Sequence, residues 1–115
     1  MPKANLPTIT YECLTGHPLQ VANGLSRKLN KFKRYGWKMK VGITGRDPAE
    51  RFREHLRVRR WQHMVVIYQS SSENYVNTLE NFLIEKHWED LVNAKPGGGS
   101  YTAVGGKQFL YVLLR

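Results

Sequence analysis

The residues best suited to chemistry begin in the middle of the chain, where Arg51 and His55 stand four positions apart. Residues at that spacing stack on one face of a helix, so a guanidinium and an imidazole point into the same space. A guanidinium clamps the non-bridging oxygens of a phosphate. A carboxylate, Glu80, falls in the apolar half of a later helical stretch, beside Leu79 and Leu83. On helix geometry alone a solvated boundary position is the plainer reading of Glu80. Beside Arg51 and His55 it becomes a metal ligand, because a buried carboxylate is expensive unless it is paired or holds a cation. One carboxylate can hold a Mg²⁺ (or Mn²⁺) that keeps most of its waters and touches a substrate phosphate. Asn93 closes the set ahead of a Gly-rich stretch. Hydrolysis of a phosphodiester also needs a group that activates water. Tyr11, Tyr35 and Lys40 are the candidates, since dense positive charge lowers the pKa of a Tyr or Lys. His17, His63 and His87 are scattered and read as structural or exposed.

Local sequence dictates how these residues are carried. Thr8 to Leu14 alternates and reads as a strand. From Pro18, the apolar positions Val21, Ala22, Leu25, Leu29 and Phe32 recur at helical spacing, with Arg27, Lys28, Lys31 and Arg34 on the other face. Trp37 to Ile43 alternates as a second strand. The run Val41-Gly42-Ile43-Thr44-Gly45 ends in glycines, which permit close backbone approach or positive φ. Asp47 is a good N-cap, Pro48 fits the first helical position, and Glu50 completes a capping box. His63 to Tyr68 is a compact apolar strand. Ser70 with Glu73 forms another capping-box pattern, and Val76, Leu79, Phe82, Leu83 and Leu91 line the buried stripe of the longest helix. Residues 93–106 form a Gly-rich loop, whose run 97–100 could contact substrate, and Gln108 to Leu114 is a last, densely apolar strand. The order β-α-β-α-β-α-loop-β predicts an α/β or α+β sandwich. Its small mixed or antiparallel sheet is flanked by helices in one domain over residues 1–115.

Charge narrows the partners. The chain carries +9, and the excess is local: from Arg27 to Arg60, thirteen Lys and Arg stand against Asp47, Glu50 and Glu54. Such a patch attracts polyanions, of which nucleic acid is the commonest. Arg27, Lys28, Lys31, Arg34, Lys38, Arg46, Arg57, Arg59 and Arg60 are the expected nucleic-acid contacts. The lone Cys13 forms no internal disulfide, and neither an apolar leader nor a spanning segment is evident. The expectation is an intracellular protein, cytoplasmic or nucleoid-associated, with no membrane partner. No GxxxxGK[ST], HExxH or GxSxG motif is present.

The stretch from Lys40 to Asn93 resembles the GIY-YIG nuclease domain, found in homing endonucleases, some restriction enzymes and the incision subunit of bacterial excision repair. Lys40-Val41-Gly42 stands in place of the second signature, YIG, with Lys40 where its Tyr would be. Arg51 and His55 match the Arg and His of the helix that follows. Glu80 matches the single metal-binding Glu, and Asn93 the Asn in the loop beyond. No literal GIY is present, and Ile9-Thr10-Tyr11 is the best place for its Tyr. On that alignment the basic helix at about residues 18–35 is an insertion, and Gln108 to Leu114 is an added strand that extends the sheet. The resemblance implies one-metal hydrolysis. Tyr11 or Lys40 would activate water, Arg51 would stabilise the phosphorane-like charge, and His55 would orient the base or the phosphate. Glu80 would hold Mg²⁺, and Asn93 would anchor the active-site loop. The expected function is thus a Mg²⁺-dependent DNA endonuclease, acting on single-stranded or branched DNA among other forms. So small a domain would draw specificity from a homodimer or a targeting partner. The alternatives are a non-catalytic nucleic-acid-binding module on the same fold and an interaction protein that engages an acidic partner.

Overall fold

The computed structural model describes residues 6–58, 60–93 and 106–115. Their elements run β1 (Thr8–Leu14), α1 (Pro18–Arg34), β2 (Met39–Thr44), α2 (Pro48–Val58), β3 (His63–Ser70), α3 (Glu73–Lys86), a 3₁₀ turn (Trp88–Asp90) and β4 (Gln108–Leu114). The fold is α+β: a four-stranded mixed sheet in the order β1-β3-β4-β2, flanked by three helices. β1 runs parallel to β3, and β4 runs antiparallel to both β3 and β2.

The last strand does not extend the sheet at an edge. It lies in the interior and alone joins β2 to β3. Phe109 to Leu114 is apolar at every position, the composition of a strand buried on both faces rather than one alternating between core and water. The strand therefore stabilises most where both its edges and both its faces are covered.

Each face of the sheet has its own core. On one, Val41, Ile43, Val65, Leu110 and Val112 pack against Val21, Leu25 and Leu29 of α1 and Val76, Leu79 and Leu83 of α3. On the other, Met64, Val66, Tyr111 and Leu113 pack against Phe52 and Leu56 of α2. The basic helix α1 is thus built into one core, with α3 beside it and α2 on the far side of the sheet. A buried bond of 2.8 Å between Ser26 and His87 ties α1 to the end of α3.

The helix starts follow from capping. Pro18 opens α1, and the His17 ring accepts the Leu19 amide at 3.1 Å. Asp47 caps α2 through the Ala49 amide at 3.0 Å. α3 is capped by Ser72 through the Tyr75 amide at 3.2 Å, not by Ser70. Ser70 instead ends β3 and accepts the Ser72 amide at 2.9 Å. The helix stops at Lys86, so Leu91 belongs to no helical stripe and bridges to Met39 on the outer edge of β2. No helix among the described residues is long and apolar enough to cross a membrane.

That outer edge is completed by a side chain. Val92 donates its amide to Met39 O at 2.9 Å. Asn93 then accepts the Val41 amide on Oδ1 at 3.1 Å and donates Nδ2 to Val41 O at 2.9 Å. One carboxamide thereby mimics the donor–acceptor pair of a neighbouring strand. Asn93→Ala is expected to lose about 2 kcal/mol of stability, two modest hydrogen bonds. Urea denaturation would show it as a lower midpoint with an unchanged slope.

Candidate active site

Strand register sets the centre of the site. Gly42 of β2 pairs with Tyr111 of β4, Tyr111 with Val66 of β3, and Val66 with Tyr11 of β1. Paired residues project to the same face, so this row crosses the sheet on the side that carries α2. Tyr11 is therefore two strands removed from Tyr111, on the edge strand, and is 52% exposed. It is Tyr111, not Tyr11, that stands beside the Lys40-Val41-Gly42 segment. Tyr35 is 71% exposed at the C-terminal cap of α1, in the layer on the opposite face. Neither Tyr11 nor Tyr35 reaches the site.

Tyr111 explains Gly42. A Cβ at that position would lie 2.5 Å from the Tyr111 hydroxyl oxygen and 2.6 Å from its Cζ. Only glycine lets the ring lie across β2. The Tyr111 side chain is 2% exposed, and its hydroxyl meets His55 Nε2 at 2.8 Å with the two rings tilted by 66°.

His55 and Arg51 do share one helical face, as their spacing requires. Burial first, then the charges of Arg51 and Lys40, push the imidazole down to about 4, so it is neutral at physiological pH. The Arg51 guanidinium is close enough to Tyr111 to favour its ionised form, while burial pushes the phenol up more strongly. Arg51 is held in place by Glu54, donating Nη1 to Oε1 at 2.7 Å. Glu54 also receives a two-pronged bond from Arg46, both contacts at 2.9 Å. Arg46 and then Arg51 hold the Glu54 carboxyl down at about 2. Glu54 was not foreseen; the Arg51/Glu54 spacing of three residues was its available signal.

Glu80 is 3% exposed, and no hydrogen bond or ion pair reaches it among the described residues. Burial alone pushes its carboxyl up to about 7. Its charge is a minor influence on the Tyr111 hydroxyl, and α3, which carries it, packs on the face of the sheet opposite to α2. Among the described residues no three His, Cys, Asp or Glu converge as a metal-binding group. By donor type a lone hard carboxylate suits Mg²⁺ or Mn²⁺. But Glu80 is buried and does not line the cleft at Arg51 and His55, so a cation and its phosphate would reach it only where the packing around α3 opens.

A cleft of about 520 Å³ opens over this region, lined by Lys40, Arg51, Glu54, His55, Val58, Trp61, Val92 and Arg115. Glu80 and Tyr111 do not line it; Tyr111 is reached through His55. Asn93 braces the strand that carries Lys40. Of the expected nucleic-acid contacts, Lys38 is exposed where its backbone pairs with Arg115, Arg57 is exposed on α2, and Arg60 lines a second cavity beside Trp61. The α1 cations Arg27, Lys28, Lys31 and Arg34 lie beyond the opposite face of the sheet and do not line the cleft, and Lys28 bridges to Glu12 at 2.5 Å. Helical periodicity showed that they face outward, but not on which side of the sheet. Arg59 and the glycine run 97–100 lie outside the described residues.

In comparisons with known proteins, no family model, curated protein or solved structure matches the chain.

Glu80→Gln tests the buried carboxyl. Below pH 4.5 the acid is neutral in both folded and unfolded chains. From there to about pH 7 the unfolded chain ionises first, so the wild type loses stability as pH rises. The advantage of the variant over wild type should grow by about 3 kcal/mol between pH 4.5 and 8. His55 has the opposite sign, losing stability as pH falls from 6.5 towards about 4, but it is common to both proteins and cancels. A gap independent of pH would show that Glu80 ionises freely.

Proposed function

We propose that this protein is a Mg²⁺-dependent endonuclease that hydrolyses DNA phosphodiester bonds on a GIY-YIG-like scaffold. The reading is carried by one observation: a buried Tyr111 hydroxyl held between a neutral His55 and the Arg51 guanidinium. On this reading Tyr111, beside Gly42, takes the role for which Tyr11 was the sequence candidate, and Arg51 and His55 supply the two other polar groups around it.

Arg51 can only donate, so all three groups are satisfied when Tyr111 donates to His55 Nε2 and turns its lone pairs towards Arg51. His55 then carries its own proton on Nδ1. Substrate binding that admits a water past His55 to the Tyr111 oxygen would let that water pass it a proton as Tyr111 passes its own to Nε2, leaving hydroxide to attack phosphorus and an imidazolium at His55. Arg51 and Lys40 face the non-bridging oxygens, where charge builds in the transition state. Glu54 limits the rotation of Arg51 between substrate encounters. A Mg²⁺ held by Glu80 would supply charge neutralisation to the leaving oxygen. Lys40, in place of a second tyrosine, adds phosphate affinity and helps to keep His55 neutral before each turnover.

The test is a nicking assay on supercoiled plasmid and on single-stranded DNA, with Mg²⁺ or EDTA. Arg51→Ala, Glu80→Ala and Tyr111→Phe are each expected to lower cleavage at least 100-fold, at the low end of positioned acid–base catalysis. Their circular dichroism should match wild type, because Tyr111→Phe removes one oxygen and the other two release strain or charge. Absence of metal-dependent cleavage together with salt-sensitive DNA binding would transfer the assignment to a non-catalytic nucleic-acid-binding module.

A further inference from the structure

Arg115 was not among the expected contacts, yet it is the cation in the cleft with the least to do inside the protein. Arg46 and Arg51 are both bonded to Glu54. No acid pairs with Arg115 among the described residues, and its Nε is buried without a hydrogen-bond partner. Its guanidinium lies over the Trp61 ring, 5.1 Å from the centroid, and Trp61 is itself buried. The backbone is clamped too: Lys38 N donates to Arg115 O at 2.9 Å, and Arg115 N to Lys38 O at 3.1 Å. Stacking fixes the plane of a guanidinium, and with Nε buried the Nη groups are the donors left to face the cleft that Arg115 lines. A pre-ordered, uncompensated fork of donors in a cleft is built for an oxyanion.

Resting on the nuclease reading, we infer that Arg115, stacked on Trp61, binds a second phosphate of the same strand, next to the one held at Arg51. The cleft is far larger than one phosphate, and Val58, Trp61 and Val92 give it an apolar wall suited to the intervening sugar and base. Trp61 also lines a second, separate cavity together with Arg60 and Gln62. The substrate class is therefore a polynucleotide that places phosphates on both sides of Trp61, rather than a terminal monoester.

Fluorescence anisotropy of a fluorescein-labelled 12-nucleotide oligothymidylate, in EDTA and from 50 to 200 mM salt, tests this without requiring cleavage. R115Q should bind about tenfold more weakly, and its plot of log affinity against log salt should be shallower by about 0.7, one single-strand phosphate contact. R115K should keep the wild-type slope with an intermediate affinity. K86Q removes the same charge at the end of α3, on the opposite face, and should leave the slope unchanged. Equal effects of R115Q and K86Q, an R115Q slope like wild type, or an R115K slope like R115Q would each overturn the assignment. A wild type that binds no oligonucleotide would overturn it together with the nuclease reading, whereas binding indifferent to Arg115 would remove this inference alone.

Discussion

The aromatic ring of Tyr111 lies flat across a backbone that has no side chain, and most of the structure is arranged around that contact. If β4 slipped by one residue against β2, Val41 or Ile43 would stand where Gly42 does, and neither leaves room for the ring. Steric exclusion therefore helps to fix the register of the two strands, beyond what their apolar patterns specify. The ring orientation directs the hydroxyl towards α2, where Phe52 and Leu56 anchor the helix to the same face. His55 then falls within hydrogen-bond distance of the hydroxyl. Packing, register and the placement of two polar groups are settled by one close approach.

Electrostatics around this contact run against stability. An imidazole is held neutral by burial and by two nearby cations, while a carboxyl is buried with no partner among the described residues. Both shifts favour the neutral form: the imidazole stays neutral well below neutral pH, and the carboxyl holds its proton up to about pH 7. Of the two, only His55 lines the cleft, where a strongly perturbed group is the usual mark of a site shaped for chemistry. Glu54 offsets part of the positive charge by tying Arg46 and Arg51 together, which restrains Arg51 without neutralising the cleft.

The local elements were legible because their causes are local. Alternation marked Thr8–Leu14, Pro18 marked the start of α1, and Asp47 with Pro48 marked the start of α2. Arg51 with His55 needed only the helical repeat. What did not follow from local pattern was the strand order, because pairing of β4 with β2 joins segments some seventy residues apart. Tyr11 looked suitable since it precedes the Gly42 segment, and nothing nearby in sequence places β1 at the far edge. Tyr111 was not singled out, because the strand around it, from Phe109 to Leu114, is apolar throughout. Two signals were nevertheless available: a run apolar on both faces belongs inside a sheet, and a tyrosine buried there needs a partner for its hydroxyl.

The interior position of β4 also governs when the molecule can exist at all during synthesis. Until residues 108–114 emerge, β2 has no neighbour through which to join β3, and both cores lack a wall. A nascent chain that already carries Arg51, His55 and Glu80 holds them on unconnected helices. Domain completion and assembly of the proposed site are then the same event, triggered by the arrival of one strand.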